Sequence, residues 1–462
     1  LEWHRCAGCW VFMSLPMSVF PSVLAEHALP PAALGELQQQ KLAAMWETVL
    51  GGNRFYQAKF AGIDFDPRRD SLNCLPLTTR RELEQDQALH PPYGSNLSYS
   101  LEAYPRLHQT SGSGGGRPMR WLDTPQSWAW WKGCWGQIFQ AAGIGRGDVV
   151  LFPFSFGPFI GFWSAFEGAL ELGCRALAAG GMTSSARVRF LIDNQAKAVC
   201  CTPTYALHLA EVAAGDGVDL RQAGIAALVV AGEPGGSIPA TRQRIEGAWG
   251  AKVLDHTGMT EAGPIGFQCG CDDGGVHVLE NEHIVEVIDP VTLKEVGEGQ
   301  AGELVVTNLG RWGSPVIRYR TGDQVRLKRG RCACGRTLCR MDGGILGRSD
   351  DMFTVRGNNV FPASLEAIIR HVPEVAEFRI QVDEEGGMNQ LRIEIETTPA
   401  ADGQQTAGRV ARLLQDTLNF RPEVRVVRGL PRFEMKARRL VWRGSERKAN
   451  EKLNVQNASV QS

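Results

Sequence analysis

The chain of 462 residues is 43% hydrophobic and 21% charged, with a formal net charge of -1. At roughly 100–200 residues per domain this length predicts two to four structural units with ample core, and it excludes a disordered chain. Near-neutrality gives no general electrostatic drive toward nucleic acid or an anionic membrane, and no stretch reaches about 18 uninterrupted apolar residues, so neither partner is expected.

The apolar stretch from Cys9 to Ala25 loosely imitates a secretory segment, but Pro16 and Pro21 interrupt it. It reads as a packed or frayed N-terminal arm. Twelve cysteines are too sparse here for a disulfide scaffold, and Cys174, Cys200 and Cys201 sit inside apolar runs, which predicts a reducing, cytoplasmic compartment.

From Asp148 to Leu254, short apolar runs alternate with segments of helical spacing. Strands are expected at 148–153, 174–179, 196–202, 225–231 and 251–254, with helices at 158–172, 184–195, 203–214 and 240–249. Continuous apolar strands separated by helices imply an α/β unit whose doubly wound, mostly parallel sheet is covered on both faces. Ligands bind such sheets at loops beyond the strands' carboxyl ends, so the loops after Val230 and Leu254 are the ones to watch. After about Val276 the runs 283–288, 302–307 and 316–320 predict an antiparallel or barrel-like β subdomain. The texture shifts again near Gly347. A helix at 362–372, strands at 377–382 and 390–397, a helix at 406–420 and strands at 424–427 and 436–442 predict a small α+β unit with its own core. The expected division is therefore 1–348 and 349–462.

Four constellations carry chemistry. In Thr110-Ser111-Gly112-Ser113-Gly114-Gly115-Gly116-Arg117-Pro118, glycines and small hydroxyls let backbone N–H groups converge on phosphate oxygens; a flexible linker is the plainer account of that run alone. Asp255-His256-Thr257-Gly258-Met259-Thr260-Glu261 follows a predicted strand. Its Thr-Glu pair suits Mg²⁺ beside a triphosphate, because hydroxyl and carboxylate oxygens suit a hard cation; the bland alternative is a helix-capping turn. In Tyr319-Arg320-Thr321-Gly322-Asp323 an Asp after a tight Gly turn can accept both hydroxyls of a ribose. Gly347-Arg348-Ser349-Asp350-Asp351 stands at the domain boundary.

In this order and at these separations, the four resemble the adenylate-forming superfamily of acyl-CoA synthetases, specifically its phenylacetate-CoA ligase branch. Leu107-His108, Gly232-Glu233-Pro234, the run from Pro315 to Asp323, the run from Gly347 to Pro362, and Leu430-Pro431-Arg432-Phe433-Glu434-Met435-Lys436-Ala437 carry the likeness, which spans roughly residues 40 to 442. The resemblance implies ATP-dependent activation of a small carboxylic acid to an acyl adenylate, with release of pyrophosphate, followed by displacement of AMP by the thiol of coenzyme A. It implies that the loop Thr110–Gly116 cradles the β- and γ-phosphates, that Thr260 and Glu261 serve Mg²⁺ and phosphate, and that Gly232, Glu233 and Pro234 line the adenine. It further implies that Asp323 and Arg348 hold the ribose and that Lys436 bridges the acyl carboxylate and α-phosphate, where three ammonium donors meet shifting negative charge. By the same resemblance the small domain turns about Asp350, so that one pocket serves two reactions. Two departures stand out: Arg117 where Lys is usual, and Met435 where Gly is often found.

Five cysteines cluster between 269 and 339: Cys269, Cys271, Cys332, Cys334 and Cys339. The Cys-x-Cys-Gly knuckle at Cys332-Ala333-Cys334-Gly335, with a distant Cys and His277, has metal-ligand spacing. Some phenylacetate-CoA ligase relatives share this arrangement, which implies structural Zn²⁺ on Cys269, His277, Cys332 and Cys334; the spacing lets Cys271 replace Cys269. For the acyl group, Phe152, Phe154, Phe156 and Phe159 lie where the family places its pocket. They suit a flat apolar acid, with Gly157 leaving room for a ring and Gly258 in the same pocket; His256 either faces the acyl group or is a satisfied structural histidine. Core packing explains any one Phe equally well. The expectation is thus an aryl- or arylacetyl-CoA ligase, monomeric or homodimeric. The same motifs fit an enzyme loading a carrier-protein thiol, and a different class would be a non-catalytic nucleotide-binding homologue.

Overall fold

The computed structural model describes residues 23–110, 118–271, 275–349, 353–355, 358–385, 388–418, 422–432 and 439–443. A two-stranded antiparallel hairpin, β1 (Arg106–Gln109) and β2 (Arg120–Asp123), precedes the main sheet. That sheet begins with β3 (Val149–Phe152), β4 (Arg175–Ala178), β5 (Ala198–Cys201), β6 (Ala227–Ala231) and β7 (Lys252–Met259). All four pairings among these five are parallel, as the expected crossovers require.

Even in these nearly continuous apolar strands the side chains alternate between two cores. Val150, Phe152, Val229 and Leu254 pack on one face with Trp135 and Phe139, whereas Leu151, Val199, Leu228, Val230 and Val253 pack on the other with Trp249. Helices Pro125–Ala141 and Pro203–Gly215 start cleanly because Pro stands in the first turn and the preceding threonine caps it. Thr124 accepts from the Ser127 N–H and Thr202 from the Tyr205 N–H.

The antiparallel half continues the same sheet. It comprises β8 (Gly263–Gln268), β9 (Gly275–Val278), β10 (His283–Ile288), β11 (Ala301–Asn308), β12 (Tyr319–Lys328), β13 (Arg340–Asp342) and β14 (Gly347–Arg348). The spatial order is β10-β11-β12-β13-β9-β8-β7-β6-β5-β3-β4, with β14 also on β12. These strands curl around a core of their own that includes Val276, Val287, Leu304, Val306 and Val325.

Two strands differ from the sequence expectation. β7 runs on past Leu254 to Met259 because β8 pairs with it antiparallel, so Thr260-Glu261-Ala262 is a hairpin turn and caps no helix. The strand expected at 316–320 begins only at Tyr319 and extends to Lys328. Arg318 sits at φ +48°, a left-handed conformation that interrupts an extended run, and the buried/half-buried alternation starts after it.

Beyond Gly347 come a short hairpin of β15 (Phe353–Val355) and β16 (Asn358–Val360), then β17 (Val375–Glu385), β18 (Met388–Thr397), β19 (Glu423–Val426) and β20 (Leu440–Arg443). The order β19-β18-β17-β20 and helices Pro362–Arg370 and Gly403–Leu418 enclose a separate core around Leu365, Phe378, Ile380, Ile393 and Val410. The α/β class with a second, smaller α+β sheet is the architecture expected from the sequence. No helix among the described residues is long and apolar enough to cross a membrane.

Candidate active site

The Gly-rich run is the connection of the β1–β2 hairpin. At its mouth, Thr110 N–H donates to the Met119 carbonyl at 2.9 Å, and the Thr110 hydroxyl accepts from Met119 N–H at 3.0 Å. Ser111, Gly112, Ser113, Gly114, Gly115 and Gly116 lie outside the described residues.

Thr260 and Glu261 occupy the turn at the carboxyl end of β7, where the crossover rule places ligands. Glu261 is buried, and its carboxylate lies 3.6 Å from Arg80, the first residue of helix Arg80–Leu89. What holds this turn is a pair that sequence reading missed. Arg311, fully buried, donates to the carbonyls of Thr260 at 2.6 Å and Glu261 at 3.1 Å. Its remaining donors form a bidentate pair with the equally buried Asp123 of β2, both contacts at 2.8 Å, and the guanidinium lies over Trp121 and Trp131. Burial alone would raise the Asp123 carboxyl; the Arg311 charge and its hydrogen bonds, with the His108 ring 3.9 Å away, outweigh it and hold the group below the usual carboxylate range. Asp123 and Arg311 lie 188 residues apart, so no local pattern announces them.

Asp323 and Arg348 stand opposite each other on β12 and β14 and form an ion pair at 2.9 Å. The two residues expected at the ribose thus meet. Gly232-Glu233-Pro234 follows β6 directly, and Gly232 takes φ +93°, which a residue with a side chain adopts only under strain. Glu233 accepts from the Thr204 N–H at 2.8 Å. The Thr204 hydroxyl in turn accepts from Arg439 at 2.9 Å, and Arg439 also pairs with Glu377 and Glu366 in the C-terminal sheet and helix. Lys436 and Asp350 lie outside the described residues; Arg439 follows Lys436 by three positions.

Among the residues expected around the acyl group, Phe154 is buried core and Phe156 is half-buried beside it, with centroids 5.5 Å apart. Phe162 stacks on Phe154 at 4.2 Å, and Trp163 meets Phe156 at 4.7 Å while donating to the Gly157 carbonyl. His256 and Gly258 come from β7, and Trp135 approaches the His256 ring at 4.4 Å from helix Pro125–Ala141. Trp135 belongs to the core and also joins His256 to the Phe cluster.

Cys269, His277, Cys332 and Cys334 converge, with their ligand atoms all within 4.8 Å of one another. Cys269 Sγ lies 3.7 Å from Cys332 Sγ, and Cys334 Sγ lies 3.5 Å from His277 Nε2. Of the two thiols left open by spacing, Cys269 joins this group. His277 Nδ1 faces the Leu338 carbonyl at 3.3 Å, and burial, with Arg336 beside it, lowers the ring to about 4, leaving it neutral. A cleft of about 710 Å³ lies elsewhere, lined by Leu75, Thr79, Glu82, Glu286, Arg318 and Arg320. Three of its charged side chains are paired, Arg318 with Glu286, Arg320 with Glu303 and Glu82 with Lys59.

The family described as AMP-binding enzyme C-terminal domain matches residues 357–443. The phenylacetate-coenzyme A ligase of Thermus thermophilus is 30% identical over 379 residues, covering 80% of this chain and 83% of that protein. The chain belongs to the phenylacetate-CoA ligase branch of the adenylate-forming enzymes. It is an AMP-forming acid–thiol ligase that activates a carboxylic acid as an acyl adenylate and delivers the acyl group to coenzyme A. Among solved structures, the ligase is similar to 2-hydroxyisobutyryl-CoA ligase in the postadenylation state in complex with R3-HIB-AMP, with TM-score 0.86, 29% identity, and coverage of 97% of this chain and 99% of that one. Against the same enzyme with 2-HIB-AMP and CoA in the thioesterification state, at 29% identity and equal coverage, the TM-score is 0.70.

Proposed function

We propose that the acid is aromatic, aryl or arylacetic, and that the reaction runs in the cleft between residues 1–348 and a C-terminal cap of residues 349–462 that turns about Asp350. The observation that carries the substrate class is the half-buried Phe156 and the Trp135–His256 contact, joined through one aromatic core beside β7, whose carboxyl end bears Thr260 and Glu261. A flat ring buried among such faces gains area burial and offset-stacking energy that a short aliphatic chain lacks.

In this reading ATP lies across the carboxyl ends of β6 and β7. The Thr110–Gly116 loop receives the β- and γ-phosphates, Gly232, Glu233 and Pro234 line the adenine, and Asp323, steadied by Arg348, accepts the ribose hydroxyls. Attack of the acid's oxygen on the α-phosphorus forms the acyl–phosphate bond and releases pyrophosphate, and Lys436 stabilises the charge that develops between the two reactants. Thr260 and Glu261 offer the hydroxyl and carboxylate oxygens that would hold Mg²⁺, which supplies charge neutralisation for the phosphates. The higher TM-score against the postadenylation state supports an arrangement of the lobes suited to the first half-reaction. ATP–pyrophosphate exchange tests the substrate class: aromatic acids should stimulate it at least about 10-fold above short aliphatic acids, the scale of a few methylene-sized contacts. Equal or greater stimulation by aliphatic acids would refute an aromatic pocket.

The four-donor cluster is proposed to hold a structural Zn²⁺. A tetrahedral ion with Zn–S of about 2.3 Å and Zn–N of about 2.0–2.1 Å sets S···S at about 3.8 Å and S···N at about 3.6 Å. The distances of 3.7 and 3.5 Å fit those spacings. With all four positions supplied by protein, the ion would tie β9 and the end of β8 to the knuckle and take no part in turnover. Elemental analysis of protein purified without chelators should find about one zinc per chain, and Cys332→Ser should lose it and lower the Tm. Zinc-free protein of unchanged Tm would remove this assignment.

A further inference from the structure

His256 carries a second message about the substrate. β7 alternates, so the His256 side chain shares a face with Leu254 and the Trp135–Phe152 core. Its Nδ1 lies 2.8 Å from the Gly266 carbonyl of β8. A carbonyl oxygen can only accept, so Nδ1 bears the ring proton. The ring is 7% exposed, and burial, opposed by that hydrogen bond, lowers it to about 4, so it stays neutral near pH 7. A neutral imidazole protonated at Nδ1 presents a lone pair at Nε2. The described residues give Nε2 no hydrogen-bond partner.

The chain keeps the space over Nε2 clear. A Cβ built on Gly258 would lie 3.1 Å from Nε2, as well as 3.0 Å from the Gly263 carbonyl, and the β7–β8 register shifts between Thr257 and Gly258. Nε2 is not among the sealed polar atoms that lack a partner, so it opens onto the space beside it, and what satisfies it there must donate. The acid's own carboxylate cannot, since it carries lone pairs only.

Resting on the aromatic reading above, we propose that the substrate is an aryl acid bearing an O–H or N–H donor on its ring, accepted by His256 Nε2. His256 is then a specificity-determining residue that selects hydroxylated or aminated rings over unsubstituted ones.

The test is ATP–pyrophosphate exchange with matched acids carrying hydrogen, hydroxyl, amino or methoxyl at each ring position. At one position, hydroxyl or amino should exceed both hydrogen and the acceptor-only methoxyl by about 10- to 100-fold in kcat/KM. His256→Phe should bring that ratio close to one. Exchange that is equal across the series at every position would mean that water satisfies Nε2, and would overturn the proposal; so would a ratio that survives in His256→Phe. The substituent series needs only the wild-type enzyme, so the proposal can fail even if the variant does not fold. Exchange with aliphatic acids and with no aromatic acid would instead sink the aromatic reading, and this proposal with it.

Discussion

Lys436→Ala is expected to lower ATP–pyrophosphate exchange by about 10²–10³-fold, the scale of losing one preorganised donor at the developing charge. The same variant should make acyl-CoA from supplied acyl adenylate at close to the wild-type rate. The split follows from the role assigned to the side chain. An ammonium between carboxylate and α-phosphate acts while the acyl–phosphate bond forms, and has no partner of that kind when a thiol attacks the finished anhydride. Stopped-flow or quenched assays of the two half-reactions separate the outcomes. Loss of both steps by the same factor would contradict this division of labour.

The second large effect is expected at Arg311 and Asp123. Arg311→Met leaves the Asp123 carboxylate buried without its counter-charge, a situation that typically costs about 3–5 kcal/mol, and frees the carbonyls of Thr260 and Glu261. Exchange should fall by about 10–100-fold, and the Tm should drop with it. The double variant Arg311→Met/Asp123→Leu distinguishes structure from positioning. Removing both charges should recover most of the Tm, because an apolar pair of similar volume is often as stable as a buried ion pair. The exchange rate should remain low, since the two Arg311 bonds to the Thr260 and Glu261 carbonyls are gone. Recovery of the rate together with the Tm would reduce Arg311 to a stability element.

The contrast between these two residues reflects what sequence can carry. Lys436 lies in a contiguous run that family likeness can align, and the same holds for Asp323 and Arg348, whose meeting across β12 and β14 follows from that likeness. The parallel strands were legible because each is a short apolar run between turn residues. Arg311 has no such neighbourhood: its function comes from contacts with β2 and with the β7–β8 turn, both far away in the chain. The late start of β12 was hidden for a related reason. Arg318 sits in a β-rich stretch, but its pairing with Glu286 and its bonds to Asn73 and Leu75 carbonyls hold it at a positive φ that propensity does not anticipate. The metal-type cluster was readable as a pattern, whereas the choice of Cys269 over Cys271 needed the geometry of β8 and the knuckle.

The hydrogen-bonded chain from Glu233 through Thr204 to Arg439 runs from the loop after β6 into the C-terminal sheet. Two binding events that share such a chain are thermodynamically linked, and the linkage is reciprocal. If nucleotide binds against Glu233 as proposed, its binding would favour the docked arrangement of the C-terminal unit, and docking would tighten the nucleotide by the same factor. Departure of AMP would then loosen both together, so that release of the spent nucleotide and resetting of the enzyme become one event.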